Sequence, residues 1–132
     1  MLHLVKLCVG CDSVEELAQW QRQRSPLEHW TRSHPKRAAE ILAGGSLYWV
    51  IKGQVRVRQR ILKLERREDE EGVWCAIVLG RRLVRVQPRF HRPFQGWRYL
   101  EREDAPPDLI GRQPADELPE KLAAELRALG LL

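Results

Sequence analysis

The sequence predicts an α+β fold, a small and mainly antiparallel β-barrel with two helices ahead of it and one after it. Three observations carry this. Between Leu47 and Leu100, short strand-forming stretches follow one another through glycine-containing turns, leaving too little chain for a crossover helix. Ahead of them, Ser13 to Arg22 and the segment from Pro35 to Leu42 carry apolar residues at helical spacing. At the end, Leu118, Leu122, Leu126 and Leu129 repeat that spacing.

In order, His3 to Cys8 reads as the first strand and Ser13 to about Arg22 as the first helix, with Ser13 and Glu16 at capping-box spacing and Val14, Leu17 and Trp20 on one face. Arg24 to Ser33 reads as a linker, because Ser25-Pro26 breaks the helix, while Leu27 and Trp30 pin the loop to the core. Pro35 opens a short second helix that turns Ala38, Ile41 and Leu42 inward and stops at Gly44-Gly45. Strands are expected at Leu47 to Lys52, Gln54 to Glu65, Val73 to Leu79, Leu83 to Gln87 and Trp97 to Leu100, with an acidic turn before Gly72 and an irregular loop from Pro88 to Gly96. Beyond Glu101, Pro106-Pro107 and Pro114 mark an extended tail, and a last helix spans about Glu117 to Leu129, capped by Asp116. The expected organisation is one domain over 1–109 and a C-terminal extension, 110–132, that ends in this helix.

A chain of 132 residues suits a single hydrophobic core. Its formal net charge of +5 comes with many arginines, whose guanidinium forks match phosphates and carboxylates. No apolar run is long enough for a bilayer, and the first residues lack the features of a signal peptide, so a cytoplasmic protein without membrane contact is expected. Three cysteines do not make a disulfide framework. Cys8 and Cys11 stand ahead of a helix start, where packed thiols, a metal site completed by Cys75 and His3 or His91, and redox chemistry all stay open. Reduced, metal-free thiols are the expectation, since a second cysteine pair and a βαβ context are both missing from the pattern.

Two constellations bear on function. Arg56, Arg58 and Arg60 alternate with Val55 and Val57, so a regular strand sets the three guanidinium groups on one face and the valines in the core. Such a row follows a phosphate backbone or, more plainly, is a solvated face paired with the acidic turn Glu68-Asp69-Glu70-Glu71. Leu62 and Leu64 fall on the arginine face, which calls for a bulge near Gln59 or Arg60 or for a strand that passes between two sides of the barrel. The second constellation interleaves Arg92, Phe94, Gln95, Trp97 and Arg98 around Gly96, a pairing that holds single-stranded nucleic acid by stacking and charge. Phe94, Trp97 and Tyr99 equally suit core filling. Nothing forms a recognisable catalytic constellation, and no cofactor is implied.

The stretches His3 to Cys11, Pro35-Lys36-Arg37-Ala38, Gly45 to Gly53 and Phe94 to Leu100 resemble a bacterial family of uncharacterised proteins, the DUF1489 family. That resemblance covers Leu2 to about Leu109 and implies no activity. In element order, with a Gly-rich entry into a Tyr-Trp strand and then an Arg-rich strand, the chain is also similar to PUA-like barrels of the EVE and ASCH type. This second resemblance implies binding of RNA or of modified bases and transfers no pocket residue.

The resulting expectation is a binding module that engages RNA, or a base of single-stranded nucleic acid, through Arg56, Arg58, Arg60, Arg92, Phe94, Gln95, Trp97 and Arg98. The alternatives are a small-molecule enzyme or sensor for a nucleotide-like or anionic metabolite, and a protein-interaction domain that docks through the C-terminal leucine helix.

Overall fold

A computed structural model describes residues 1–109. Seven strands and two short helices follow one another as β1 (Leu2–Leu7), α1 (Val14–Arg22), β2 (Glu28–Thr31), α2 (Ala38–Leu42), β3 (Ser46–Ile51), β4 (Gln54–Asp69), β5 (Gly72–Leu79), β6 (Val84–Phe90) and β7 (Trp97–Glu101). The strands form one sheet in the order β2-β5-β4-β3-β1-β7, with β6 also paired to β4.

The expected closed PUA-like barrel is not what forms. The sheet is open and mixed, and no ladder joins β2 to β7. Two features of the chain account for this. The segment read as a linker supplies β2, which pairs antiparallel with β5 (Trp30 opposite Ala76) and so occupies the edge that closure would need. The chain then returns through α2 into β3, which lies parallel to β1 with Leu4 opposite Leu47. The pairings of β4 with β3, β5 and β6 are antiparallel, as expected for that stretch, whereas β7 joins the sheet through β1. The expected helix over Glu117 to Leu129 lies outside the described residues.

β4 organises the sheet because its sixteen residues serve three partners. Its first half lies between β3 and β6, and its second half pairs with β5. The registers set β5 and β6 end to end along it: Asp69 faces Gly72, Ile61 faces Leu79, Arg58 faces Val84 and Gln54 faces Phe90. Register shifts at Val55/Val57 and at Ile61/Lys63 divide the strand. The second lies at Leu62, close to where the apolar pattern called for a bulge.

Each face of the sheet carries its own apolar cluster. On the helix-covered face, Leu4, Leu47, Trp49, Val57, Ile61 and Ile77 pack against Val14 and Leu17 of α1 and Ile41 of α2. On the other, Val5, Tyr48, Val50, Val55 and Val86 pack beneath Phe94, Leu100 and Ala105. Ser13 caps α1 as its spacing predicted, its hydroxyl accepting from the Glu16 N–H at 3.1 Å. Gly45 admits no side chain, since a Cβ there would lie 2.1 Å from the Leu2 carbonyl oxygen. That close approach seats the end of α2 against β1.

Candidate ligand cleft

The site is built on the helix-covered face. β1 ends at Leu7, and the chain turns through Cys8, Val9, Gly10 and Cys11 before α1 begins. Between this turn, α1 and β2 lies a cleft of about 800 Å³, lined by Lys6, Trp20, Arg24, His29 and Trp49 among others.

A buried amide network fixes the cleft floor. Gln59 is fully buried on β4, and its Oε1 accepts from Gln21 Nε2 of α1 and from the Trp49 indole N–H, both at 2.8 Å. Its own amide nitrogen donates to Gln21 Oε1 at 2.8 Å and to the Gly80 carbonyl at 3.0 Å. Every polar atom of the Gln59 side chain is thereby used, and the indole plane of Trp49 is held still.

From that floor three rings step outward. His29 lies 4.7 Å from Trp49 and 4.9 Å from Trp20, ring centre to ring centre. The Arg24 guanidinium carbon sits 3.8 Å above the Trp20 ring. Exposure rises along the series, from 1 % at Trp49 to 37 % at Trp20, so the pile runs from core to solvent. The His29–Trp49 contact is edge-to-face, at 63° between planes, and the Trp20–His29 contact is tilted at 44°, so the cluster sets apolar ring surface and the Arg24 charge side by side.

The electrostatics of the cleft lean positive. Lys6 is held below the usual lysine range by burial, and no carboxylate pairs with it among the described residues. Arg24 likewise has no ion pair among the described residues. The nearby acid, Glu28, is already engaged: it accepts from the Trp30 indole at 2.7 Å and from Arg67 at 3.2 Å, which holds its carboxyl below the usual range. Burial, with Lys6 and Arg24 adding to it, pushes the His29 imidazole down to about 4, so it is neutral at pH 7. Its Nε2 is buried with no hydrogen-bond partner among the described residues. An unpaired buried polar atom is costly and therefore invites a bonding partner.

At the rim, the Cys11 N–H bonds the Cys8 carbonyl at 3.4 Å. Burial pushes the Cys8 thiol well above its ordinary range, and a hydrogen bond to Cys11 adds to this. No group of three or more His, Cys, Asp or Glu among the described residues is arranged to hold a metal ion. His3 serves elsewhere, accepting from the Ser46 N–H at 2.9 Å, and His91 packs against Phe94 at 4.8 Å.

The eight residues singled out from the sequence are divided between places. Arg56 sits at the first register shift of β4, donates to Gln54 at 3.0 Å and leaves its Nε buried and without a partner among the described residues, so the three-arginine row is broken. Arg58 forms a two-pronged pair with Asp108, both contacts 2.7 Å, and reaches Ser46 Oγ at 3.1 Å. Arg60 is exposed. Phe94 covers the second apolar cluster, with Arg98 above its ring at 5.3 Å. Arg98 also donates to the Gln95 and Trp97 carbonyls, while Arg92 and Gln95 face solvent. Arg98, Val5, Tyr48 and Arg58 form one row across four strands of the face away from the cleft. Trp97 points the other way: it pairs with Lys6, packs on the first cluster and donates to the Ser33 carbonyl at 2.8 Å. Phe94, Arg98, Arg58 and Arg60 therefore share a face, and Trp97 does not.

The cleft residues Lys6, Trp20, Arg24, His29 and Trp49 escaped the sequence reading. A usable signal existed in Glu28-His29-Trp30-Thr31, a short alternation rich in rings that precedes a strand-compatible Thr. Trp20 looked like a core residue because Val14 and Leu17 share its helical face.

Among the described residues, fold and cleft define one sheet of mixed topology, with a single parallel pair and an aromatic, cationic cleft beside the first helix. The chain belongs to the DUF1489 family, described as proteins of unknown function, whose profile matches residues 4–132. No curated protein and no solved structure matches it. No helix among the described residues is long and apolar enough to cross a membrane.

Proposed function

We propose that this protein binds a planar, anionic small molecule of nucleotide-like character in the cleft between α1, β2 and the Cys8–Cys11 turn. The observation that carries this reading is the pile of Trp49, His29 and Trp20, flanked by two cations that have no carboxylate partner among the described residues. A flat ring packs against this ring cluster, an anionic group meets Lys6 and Arg24, and a polar edge of the ligand bonds His29 Nε2. This favours the small-ligand alternative over a polymer tracked along the arginine row, because Arg58 is already committed to Asp108.

A base presented by single-stranded nucleic acid is the second reading. What supports it is Trp30, which lines the cleft, is 39 % exposed and lies 6.1 Å from Trp74, so that a neighbouring base has a ring to stack on outside.

Titration of the protein with adenosine and uridine monophosphates, each against its uncharged nucleoside, tests the first reading. The expected result is quenching of tryptophan fluorescence, with the nucleotide binding about tenfold more tightly than the nucleoside at low salt, a difference of about 1.4 kcal/mol. Lys6→Ala should remove most of that preference. Equal or absent binding of all four compounds would overturn the assignment.

A further inference from the structure

The rim of the cleft holds a feature that ring binding does not use. Cys8 and Cys11 are the ends of a four-residue turn closed by the Cys11 N–H to Cys8 carbonyl bond, with Gly10 at φ +84° supplying the left-handed position. A turn of this kind brings its end Cα atoms within about 7 Å, which meets the span a disulfide requires. Both thiols line the cleft and both are half-buried, whereas Cys75 is sealed in the core at 1 % exposure. The turn leads from a sheet strand, β1, into helix α1, and β1 runs parallel to β3 after a connection that holds α1, β2 and α2.

We propose that Cys8 and Cys11 form a reversible dithiol–disulfide couple that exchanges with small anionic disulfides drawn into the cleft by Lys6 and Arg24. This rests on the cationic character of the cleft and not on its ring ligand. In the first step the Cys11 thiolate attacks one sulfur of R–S–S–R, the S–S bond breaks, and RS⁻ leaves and takes up a proton. In the second, Cys8 gives its proton to water and attacks the Cys11 sulfur of the mixed disulfide, forming the Cys8–Cys11 bond and expelling the second RS⁻. The protein loses two electrons and two protons, and the small disulfide gains them as two RSH molecules.

The order of attack follows from the surroundings. Cys8 is kept protonated by burial and by its hydrogen bond to Cys11, so it is the poorer first nucleophile. Once Cys11 is held in the mixed disulfide its hydrogen bond no longer keeps the Cys8 proton in place, and the nearby Lys6 ammonium favours the Cys8 thiolate against burial and the Glu16 carboxylate.

The test is incubation of the full-length protein with oxidised glutathione, an anionic disulfide, or with cystamine, a cationic one, followed by alkylation and mass analysis. Oxidised glutathione should consume two of the three thiols and spare Cys75. Cys8→Ser should accumulate a mixed disulfide on Cys11, and Cys11→Ser should react about tenfold more slowly than Cys8→Ser. Oxidised glutathione should outpace cystamine by about tenfold at low ionic strength, with the gap closing in salt. Serine differs from cysteine by one atom, and a circular dichroism spectrum matching wild type verifies the fold of each variant. Retention of all three thiols, equal rates for the two serine variants, or no preference for the anionic disulfide would overturn the proposal. Nucleotide binding with an inert dithiol would overturn this inference alone, whereas exchange without nucleotide binding would support it and count against the ring-ligand reading.

Discussion

Gln59 shows how one residue sets a site it does not enter. It lies fully buried in a strand whose neighbours Arg58 and Arg60 are arginines, a place where the sequence pattern offers no reason for an amide. Its bonds to Gln21, Trp49 and Gly80 tie α1, β3 and the β5–β6 junction together, and each partner is left unsatisfied if the amide is removed. Gln59→Ala should cost about 3 kcal/mol in urea unfolding, and Gln59→Glu should be destabilising as well, because a buried carboxylate cannot donate to Gly80. A cost under about 0.5 kcal/mol would mean that the network does not hold the cleft floor. His3 and His29 add a pH dependence: both are pushed down to about 4, chiefly by burial. The unfolded chain binds a proton at each near pH 6.5 and the folded chain does not, so stability is full above that value and falls as the pH drops toward 4. The slope should approach about 1.4 kcal/mol per pH unit for each histidine, and His29→Gln should halve it.

At the scale of elements, β4 explains both what the sequence made legible and what it concealed. Alternation and glycine punctuation located six of the seven strands to within a few residues, because period-two burial is a strong local signal. β2 was hidden by its brevity and by the Ser25-Pro26 break just before it, and its loss from the reading turned an open mixed sheet into an imagined barrel. The regular-strand assumption also failed at Arg56, where the register shift sends Val55 and Val57 into different clusters. The alternating pattern presents Arg58 as a contact for a partner, yet a residue fifty positions away claims it. No local pattern announces such a pair. Arg58→Ala and Asp108→Ala should each cost about 1 kcal/mol, more than a median surface pair because the contact is two-pronged and half-buried, while exposed Arg60→Ala should stay within about 0.5 kcal/mol. The Asp108 carboxyl is held below its usual range by Arg58, so the difference between wild type and Asp108→Ala should be fully present above about pH 4 and vanish as the pH falls below it. Chemical denaturation of the three variants at pH 7 and pH 3 checks both statements, and equal losses at Arg58 and Arg60 would refute the assignment.

For the whole molecule, the division of the sheet into two faces separates two groups of cations that a net charge of +5 would otherwise blur. The cleft lies on the helix-covered face and is lined by Lys6 and Arg24. The other face carries Arg98 and exposed Arg60, which can meet a polyanion without any ring entering the cleft. Affinity for a mononucleotide should fall only gently with salt, since one or two charges are neutralised, whereas binding to a single-stranded oligonucleotide should fall with a slope of about 0.7 per neutralised phosphate on logarithmic axes. Lys6→Ala should weaken the mononucleotide and leave the slope for the oligonucleotide nearly unchanged. Arg60→Ala combined with Arg98→Ala should do the reverse, flattening the slope by about one to two without touching the mononucleotide. If instead Lys6→Ala abolished oligonucleotide binding as well, the base would have to enter the cleft, and the nucleic-acid reading would displace the free nucleotide as the proposed ligand of the Trp20, His29 and Trp49 cluster.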